Sequence, residues 1–221
     1  MKSIINIVFF IFPLALCAQK ADTVKKKERD FFPTGIRVGT DVISLIRTQT
    51  DVSFSGYEFN ADVDFYRYYL AVDIGKWERQ FSTDPEDYHN TGNYFRVGVD
   101  VNFLKKDTDK SMFFFGMRYG RGTYSENLTV TTTDPVWGNN TITYTNTDVA
   151  ASWGELTTGL RVKMWKFFWM GYTARYKFGL NTNEPRGFVS HDVPGYGKTE
   201  NQSTWGFNYQ LMFRIPVRKK K

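Results

Sequence analysis

YEFNADVDFYRYYLAVDIG, residues 57–75, alternates two kinds of side chain and decides the fold. Aromatic and small apolar side chains occupy the odd positions from 57 to 65. The even positions include three carboxylates, those of Glu58, Asp62 and Asp64. Successive side chains of a β-strand point to opposite faces, so the three carboxylates share one face of a strand. Such a row is expected either in a metal or catalytic site or along the lining of a polar interior.

The N-terminal stretch MKSIINIVFFIFPLALCA, residues 1–18, has a lysine, a short apolar run and small residues at its end. This pattern predicts a secretory signal peptide cleaved after Ala18. The run is shorter than the roughly 20 apolar residues that a membrane-spanning helix needs. Cys17 is the one cysteine of the sequence, so the mature chain is expected to have no disulfide. Lipidation of Cys17 stays open as an alternative to plain cleavage.

The composition combines polarity with an unusual share of aromatic residues. The mean hydropathy is −0.44, yet 18% of the residues are aromatic. An exported chain of this kind is typical of a transmembrane β-barrel, in which only half of each strand faces lipid. The net charge of +6 lies largely in basic runs near the two ends. For an exported chain these runs favour outer-membrane lipid as a partner and argue against nucleic acid.

Eight segments alternate with period two, which predicts eight β-strands. They cover residues 35–46, 57–66, 70–81, 94–104, 112–124, 152–164, 168–180 and 204–217. Short connections (67–69, 105–111, 165–167) alternate with long ones (47–56, 82–93, 125–151, 181–203). Outer-membrane barrels have this alternation of tight periplasmic turns and longer extracellular loops. We therefore predict an all-β fold, an eight-stranded antiparallel up-and-down transmembrane β-barrel. The expected organisation is a signal peptide at 1–18, a periplasmic N-terminal segment at 19–34, the outer-membrane barrel at 35–217 and a basic periplasmic tail at 218–221.

The polar face of the predicted strands carries nearly balanced charges. They are Arg37, Asp41, Glu58, Asp62, Asp64, Asp73, Arg96, Asp100, Arg118, Glu155, Arg161, Arg175 and Arg214. An eight-stranded barrel is just wide enough for side chains to fill its interior, and a lone buried charge costs several kcal/mol. The set therefore predicts a closed, salt-bridged lumen. Binding of a divalent cation by the carboxylate row is the weaker alternative, and we expect no metal and no cofactor.

Aromatic residues cluster near both ends of the predicted strands. This predicts two interfacial girdles at the lipid headgroups. Their members are Tyr66, Tyr69, Trp165 and Trp169 at the short turns and Trp77, Tyr124, Trp153 and Trp205 at the opposite ends.

Three stretches carry a family resemblance: FFPTGIRVGTDVISL (31–45), VPGYGK (193–198) and FRIPVRKK (213–220). With them the chain resembles an uncharacterised outer-membrane β-barrel family of the Bacteroidetes. More broadly it is similar to small eight-stranded barrels of the outer-membrane protein A or X type. The resemblance implies the barrel and an outer-membrane location, and it implies no catalytic residue.

Candidate chemistry is confined to the predicted long loops. His89 and His191 each follow or precede an acid, as in a hydrolase dyad, but no serine or cysteine lies in a nucleophile motif. The stretch ENLTVTTTDPVWGNNTITYTNT (126–147) predicts a hairpin that extends beyond the membrane. The loop residues considered for binding are Trp137, Phe188, His191 and Tyr196.

The leading hypothesis is a non-enzymatic outer-membrane protein that acts through its extracellular loops, in adhesion or partner binding, or that supports envelope integrity. One alternative is an integral outer-membrane enzyme acting on lipid or peptide through a loop histidine and a neighbouring acid. The other is a soluble exported lipocalin-like barrel, which would place aromatic rather than charged residues inside. A surface ligand or protein partner is expected without being identified by the sequence.

Overall fold

The computed structural model describes residues 31–104, 111–182 and 188–218. The predicted signal peptide, most of the N-terminal segment and residues 219–221 of the predicted tail lie outside the described residues. The strands of the barrel are β1 (Gly35–Asp41), β2 (Phe54–Phe65), β3 (Tyr68–Thr83), β4 (Glu86–Asn102), β5 (Ser111–Asp134), β6 (Gly138–Trp165), β7 (Phe168–Asn181) and β10 (Ser203–Pro216). A helix, α1 (Val42–Thr50), follows β1, and a small hairpin of β8 (Asp192–Val193) and β9 (Gly197–Lys198) precedes β10.

The eight long strands form one closed antiparallel barrel. Each strand pairs with its neighbour along the chain, and β1 closes the ring against β10 from Gly35↔Pro216 to Asp41↔Gln210. The prediction of an eight-stranded antiparallel up-and-down barrel is confirmed. We call the end with the tight turns at 66–67 and 166–167 the turn end. The opposite end, with α1 and the segment 188–202, is the loop end.

The first strand is shorter than predicted because α1 begins inside the stretch expected to be strand. Asp41 caps the helix: its carboxylate accepts from the backbone N of Ser44 at 3.1 Å and from the Ser44 hydroxyl at 2.6 Å. An N-cap acceptor of this kind satisfies backbone donors that a helix start leaves unpaired. Within the part of the chain that the structure describes, no helix is long and apolar enough to span a membrane.

Two of the predicted long loops, 82–93 and 125–151, are largely paired strand. The predicted loop 82–93 is mostly paired, since β3 and β4 run to a tight turn between Thr83 and Glu86. The predicted hairpin at 125–151 is present, and β5 and β6 pair as far as Asp134↔Gly138. Because β4 also pairs with β5 up to Glu86↔Val130, these strands continue past the barrel as one sheet. We call this extension, residues 78–91 and 125–151, the projecting sheet.

The two faces of the barrel wall have opposite character. Exposed side chains on the outside are mostly aromatic or aliphatic, and Phe59, Ile74, Val99, Met117 and Leu160 are examples. Buried side chains on the inside are mostly charged or amide-bearing. This inverts the usual arrangement of a water-soluble β protein, in which apolar side chains fill the interior.

Candidate functional site

Ten charged side chains form a continuous chain of ion pairs inside the barrel. Arginines and carboxylates alternate along it, in the order Arg37, Asp62, Arg161, Asp100, Arg118, Asp73, Arg175, Glu155, Arg96 and Glu58. Five positive and five negative charges therefore cancel. We call this set the interior network.

Most distances in the interior network are those of charge-assisted hydrogen bonds, and the Arg96–Glu155 pair is longer at 3.6 Å. Asp62 accepts from Arg37 Nε at 2.7 Å and from Arg161 Nη1 at 2.7 Å. Asp100 accepts from Arg118 Nη2 at 2.9 Å and from Arg161 Nη2 at 3.0 Å. The Arg118–Asp73 and Arg96–Glu58 contacts are closer still. Each carboxylate of the interior network therefore has at least two partners, counting arginines and other polar donors together.

Neutral side chains complete the interior network. Tyr94 Oη donates to Glu58 at 2.7 Å, and Trp153 Nε1 donates to Glu155 at 2.8 Å. The Arg37 guanidinium lies over the rings of Tyr69 and Trp169, 4.6 and 5.0 Å from their centroids. Cation–π contact with two rings supports a cation that is removed from water. These buried side chains occupy the middle of the barrel.

Three predicted interior charges lie outside the interior network. Arg214 and Asp64 form a pair of their own at the turn end, 2.9 Å apart, and both contact the Thr34 hydroxyl. Asp41 caps α1 and accepts from the backbone N of Tyr209 at 2.9 Å. The expectation that Asp41 pairs with an arginine was wrong, because the helix start supplies its donors instead.

Five of the eight predicted girdle residues point inward. Tyr69, Trp153, Trp169 and Tyr124 are buried, and Trp77 packs against the buried cluster at the loop end. The assignment of these five to girdles was wrong, because each shares the inward parity of its strand, as Trp153 does with Glu155. Side chains that are exposed on the outside are those of Tyr66, Trp165 and Trp205.

Segment 188–202 folds into the loop end of the barrel. Val193 and Tyr196 are buried against Tyr94, Tyr124 and Trp153. Tyr196 is only 1% exposed, so it packs inside the loop end instead of on the molecular surface. Its role as a binding residue stays a prediction. The segment therefore occupies part of the interior at the loop end.

The buried carboxylate of Glu126 joins the projecting sheet to segment 188–202. It accepts from Tyr88 Oη at 2.7 Å, from Asn146 Nδ2 at 2.9 Å and from the Ser190 hydroxyl. Burial holds the pKa of the Tyr88 hydroxyl well above its usual range, so the hydroxyl stays protonated and remains a donor. Glu126 was missed from the sequence because its partners come from three separate stretches of the chain.

The two histidines pair with acids and not with a nucleophile. His191 Nδ1 lies 2.6 Å from Asp192, and His89 Nε2 lies 3.1 Å from Glu78. The neighbouring Ser190 hydroxyl is engaged by Glu126 and by Tyr124. Within the described ranges no serine, threonine or cysteine side chain hydrogen-bonds either histidine. The described residues therefore do not form the nucleophile–base hydrogen bond of a serine–histidine or cysteine–histidine pair.

A cavity of about 370 Å³ lies at the loop end, between α1, the barrel wall and segment 188–202. We call it the vestibule. Lys177 reaches it from β7 and was missed from the sequence. Its ammonium donates to the backbone carbonyls of Gly195 at 2.8 Å and Tyr196 at 2.9 Å. The ammonium is therefore buried and held by neutral oxygens.

Over the part of the chain that is described, the interior of the barrel has charged side chains that contact one another, and they are not arranged as a metal cluster. Over the described ranges, no group of three or more histidine, cysteine or acidic side chains is arranged to hold a metal ion. The carboxylates of residues 58, 62 and 64 contact arginines instead. The lipocalin-like alternative was wrong, because charged side chains occupy the space where such a fold keeps its apolar cavity.

The outer edge of β6 is unpaired beyond the barrel. Pairing between β6 and β7 begins at Ser152↔Asn181, whereas β6 itself begins at Gly138. Residues 138–151 therefore pair on one side only, as far as the described residues extend. Trp137, at the tip of the hairpin, is 87% exposed. Phe188 lies partly buried beside this edge, its ring centroid 6.4 Å from that of Tyr144.

Comparison with known proteins gives a fold likeness and a family. Two solved structures of Ail, the attachment invasion locus protein of Yersinia pestis, are similar to the chain, and one of them is a complex with the heparin analogue sucrose octasulfate. Their sequence identities are 7% and 10%; each covers 83% of this chain and 98% of the Ail chain, with a TM-score of 0.41. No curated protein matches the chain. The model of the family described as a domain of unknown function, DUF6048, matches residues 1–220, and the chain belongs to that family.

Proposed function

We propose that the protein is a non-enzymatic outer-membrane barrel that binds a protein partner by strand addition at the outer edge of β6. The observation that carries this proposal is the unpaired edge at residues 138–151. The membrane location and the closed interior support it. Among the residues described, neither histidine hydrogen-bonds a serine, threonine or cysteine side chain, which favours binding over catalysis.

The membrane location rests on the inverted wall of the barrel. Exposed apolar side chains surround the barrel. On a water-soluble protein such a continuous apolar surface would be an interaction site or would cause aggregation. Tyr66 and Trp165 at the turn end and Trp205 near the loop end lie where interfacial aromatics are expected. The predicted signal peptide and the resemblance to outer-membrane barrels of the Bacteroidetes support export. The turn end, where β1 begins and β10 ends, then faces the periplasm.

The closed interior supports a role at the surface over a role as a channel. Alternating ion pairs from Arg37 to Glu58 occupy the middle of the barrel, and segment 188–202 occupies part of its interior at the loop end. Parts of the molecule that reach the outside are then the projecting sheet, segment 188–202 and α1.

The edge of β6 lacks the features that normally prevent strand addition. Residues 138–147, GNNTITYTNT, contain no charge and no proline. Natural proteins protect exposed edges with lysine, proline or bulges, and an unprotected edge is a template for a further strand. The one irregularity is the register shift between Tyr124 and Glu126, near Asp148, where φ is positive. Among the described residues the edge from 138 to 145 has no backbone partner on its outer side, whereas at its barrel end Asn146 Nδ2 donates to the Phe188 carbonyl at 3.2 Å. About eight residues of edge are therefore available to an extended peptide.

A matched pair of substitutions tests the proposal. Thr145 and Asn127 are cross-strand partners at the same height of the hairpin, but only Thr145 lies on the edge strand. Cells displaying the protein are used to select binders from a library of ten-residue extended peptides. We expect Thr145→Lys to abolish binding of the selected peptides and Asn127→Lys to leave it within about twofold, because lysine on an edge strand opposes pairing.

Two results would contradict the proposal. The first is that no peptide is selected by the parent protein, and the second is that both variants lose binding equally. Removal of residues 128–145 separates partner binding from envelope integrity. A detergent-sensitive envelope in cells lacking the whole protein, but not in cells with the shortened hairpin, would assign the envelope role to the barrel itself.

A further inference from the structure

The vestibule has a surplus of positive charge at the extracellular end of the proposed orientation. Six basic residues line it: Arg47, Lys76, Arg79, Arg96, Lys177 and Lys198. The acidic residues that line it are Asp41, Glu58 and Asp192.

Each of the three acids is already engaged. Glu58 is paired with Arg96, and Asp192 lies 3.2 Å from Arg79 and 2.6 Å from His191. Asp41 is occupied by the backbone and side-chain donors of α1. The acids therefore do not neutralise the remaining cations of the vestibule.

Two lysines of the vestibule remain without a carboxylate partner. Among the residues that the structure describes, no carboxylate oxygen lies within 4.0 Å of the ammonium groups of Lys177 and Lys198. Arg47 differs, since its guanidinium lies 3.5 Å from Asp51, and Lys76 differs because its side chain has the outward parity of β3. A surplus of about two positive charges therefore remains at one small cavity.

Lys177 is the most informative of these lysines because it is buried. Its side chain is 7% exposed, and the two carbonyls it contacts are neutral. Burying a cation without a counter-charge is costly, and an anion brought into the same cavity offsets that cost. The packing is also specific: a Cβ at Gly206 would lie 2.8 Å from Lys177 Cε, so glycine at this position leaves space for the ammonium.

We propose that the vestibule binds a phosphate or diphosphate group. A phosphate monoester carries about −1.5 to −2 charges at neutral pH, close to the surplus of Lys177 and Lys198. Lysine is a common phosphate ligand that acts as a point charge. The volume of about 370 Å³ accommodates such a group together with a small organic substituent. The walls include Trp77 and Tyr94, whose flat faces suit a substituent that is partly apolar.

The site is separate from the edge of β6. Its cations come from α1, β3, β4, β7 and β9, whereas the proposed strand addition uses residues 138–151 of β6. A failure to bind peptides would therefore not count against the phosphate site. A failure to bind phosphate would likewise not count against strand addition at β6.

Calorimetric titration of the full chain in a nonionic detergent with inorganic pyrophosphate tests the site. We expect saturable binding at one site, weakened about tenfold or more by Lys177→Gln, since a hydrogen bond to a charged group contributes about 1.5–3 kcal/mol. Lys177 holds segment 188–202, so Lys198→Gln serves as a second variant at an exposed position, with a smaller expected loss. Lys163→Gln, an equal charge change near the turn end, should leave the affinity within about twofold, because screening removes effects of distant exposed charges.

Unchanged affinity in both Lys177→Gln and Lys198→Gln, or an equal loss in Lys163→Gln, overturns the proposal. A second arm adds micelles that contain phosphatidic acid. If phosphatidic acid competes with pyrophosphate, the source of the phosphate is a lipid headgroup. If phosphatidic acid does not compete, the source is a soluble phosphorylated molecule. Both of these results support the site, whereas no heat of binding from either probe refutes it.

Discussion

The guanidinium of Arg161 on β6 donates to the carboxylate of Asp62 on β2 across 2.7 Å, although the two strands face each other from opposite sides of the barrel. Four strand-to-strand steps separate them in either direction around the ring. The contact therefore spans the lumen. It shows how narrow the barrel is and why its charges meet in a single network.

Loss of one arginine in the middle of the interior network should be strongly destabilising. Arg118 contacts both Asp73 and Asp100, so Arg118→Met leaves two buried carboxylates short of a partner. We expect a loss of about 3–5 kcal/mol in the free energy of unfolding, measured by urea titration in detergent. Arg121→Met is the matched control, because Arg121 is three residues away on β5 and exposed. Equal stability of the two variants would contradict the role of the interior network.

Glycines make room for the largest inward side chains. A Cβ on Gly120 would lie 2.6 Å from Cζ2 of Trp153, which is fully buried. We expect Gly120→Val to reduce the free energy of unfolding by about 1–3 kcal/mol through overpacking. Combining it with Trp153→Leu should cost less than the sum of the two single changes, since the second removes the clash. Additive costs in urea titration would show that the two positions do not compete for space.

The carboxylate of Glu126 should control the order of segment 188–202. In Glu126→Ala the donors of Tyr88, Asn146 and Ser190 lose their shared acceptor. We expect backbone amides of the segment to exchange with deuterium at least tenfold faster, because an unsatisfied buried donor costs about 1–3 kcal/mol. Asp87→Ala, an exposed carboxylate next to Tyr88, should leave exchange unchanged. Equal exchange in both variants would show that other contacts hold the segment.

The tip of the hairpin should lose its order in acid. The Asp134 carboxylate accepts from the backbone N of Val136 at 2.7 Å and of Trp137 at 2.9 Å, and these bonds lower its pKa. Because the pKa of Asp134 is lower in the folded turn than in the unfolded chain, the ionised carboxylate stabilises the turn. This stabilisation is complete above the unfolded pKa, about 3.9, and is lost as the pH falls through the lower folded pKa. Trp137 fluorescence should be constant from neutral pH to about pH 5 and change only in stronger acid. Asp134→Ala should show the acid signal at every pH, and a transition near neutrality would refute this assignment.

The alternation of apolar and charged side chains along residues 57–75 predicts both the strands and the interior charges. It does so because every strand of the barrel wall places charged side chains inside and apolar side chains outside. That rule applies wherever a strand crosses the apolar layer, which is why all eight strands could be found. It does not apply to the projecting sheet, where both faces contact water or segment 188–202. Residues such as Thr129 and Thr143 pair there without an apolar face to indicate a strand.

The errors at the candidate site have two physical origins. Trp153 and Trp169 were placed by their distance along the strand, whereas their parity decides which side of the wall they occupy. Lys177 and Glu126 could not be predicted, because their partners are backbone carbonyls and hydroxyls from segments far away in the sequence. The start of α1 was detectable in principle: Asp41 followed by Ser44 fits an N-cap.

The alternating order of the interior network has a consequence for how the protein assembles. Its charges come from seven of the eight barrel strands, and six of its nine ion pairs join strands that are not neighbours in the barrel. Until the last strand docks, an incomplete cylinder would expose its carboxylates and guanidinium groups to solvent or leave them unmatched near lipid. We therefore expect the charges of the interior network to be fully matched only when the ring closes.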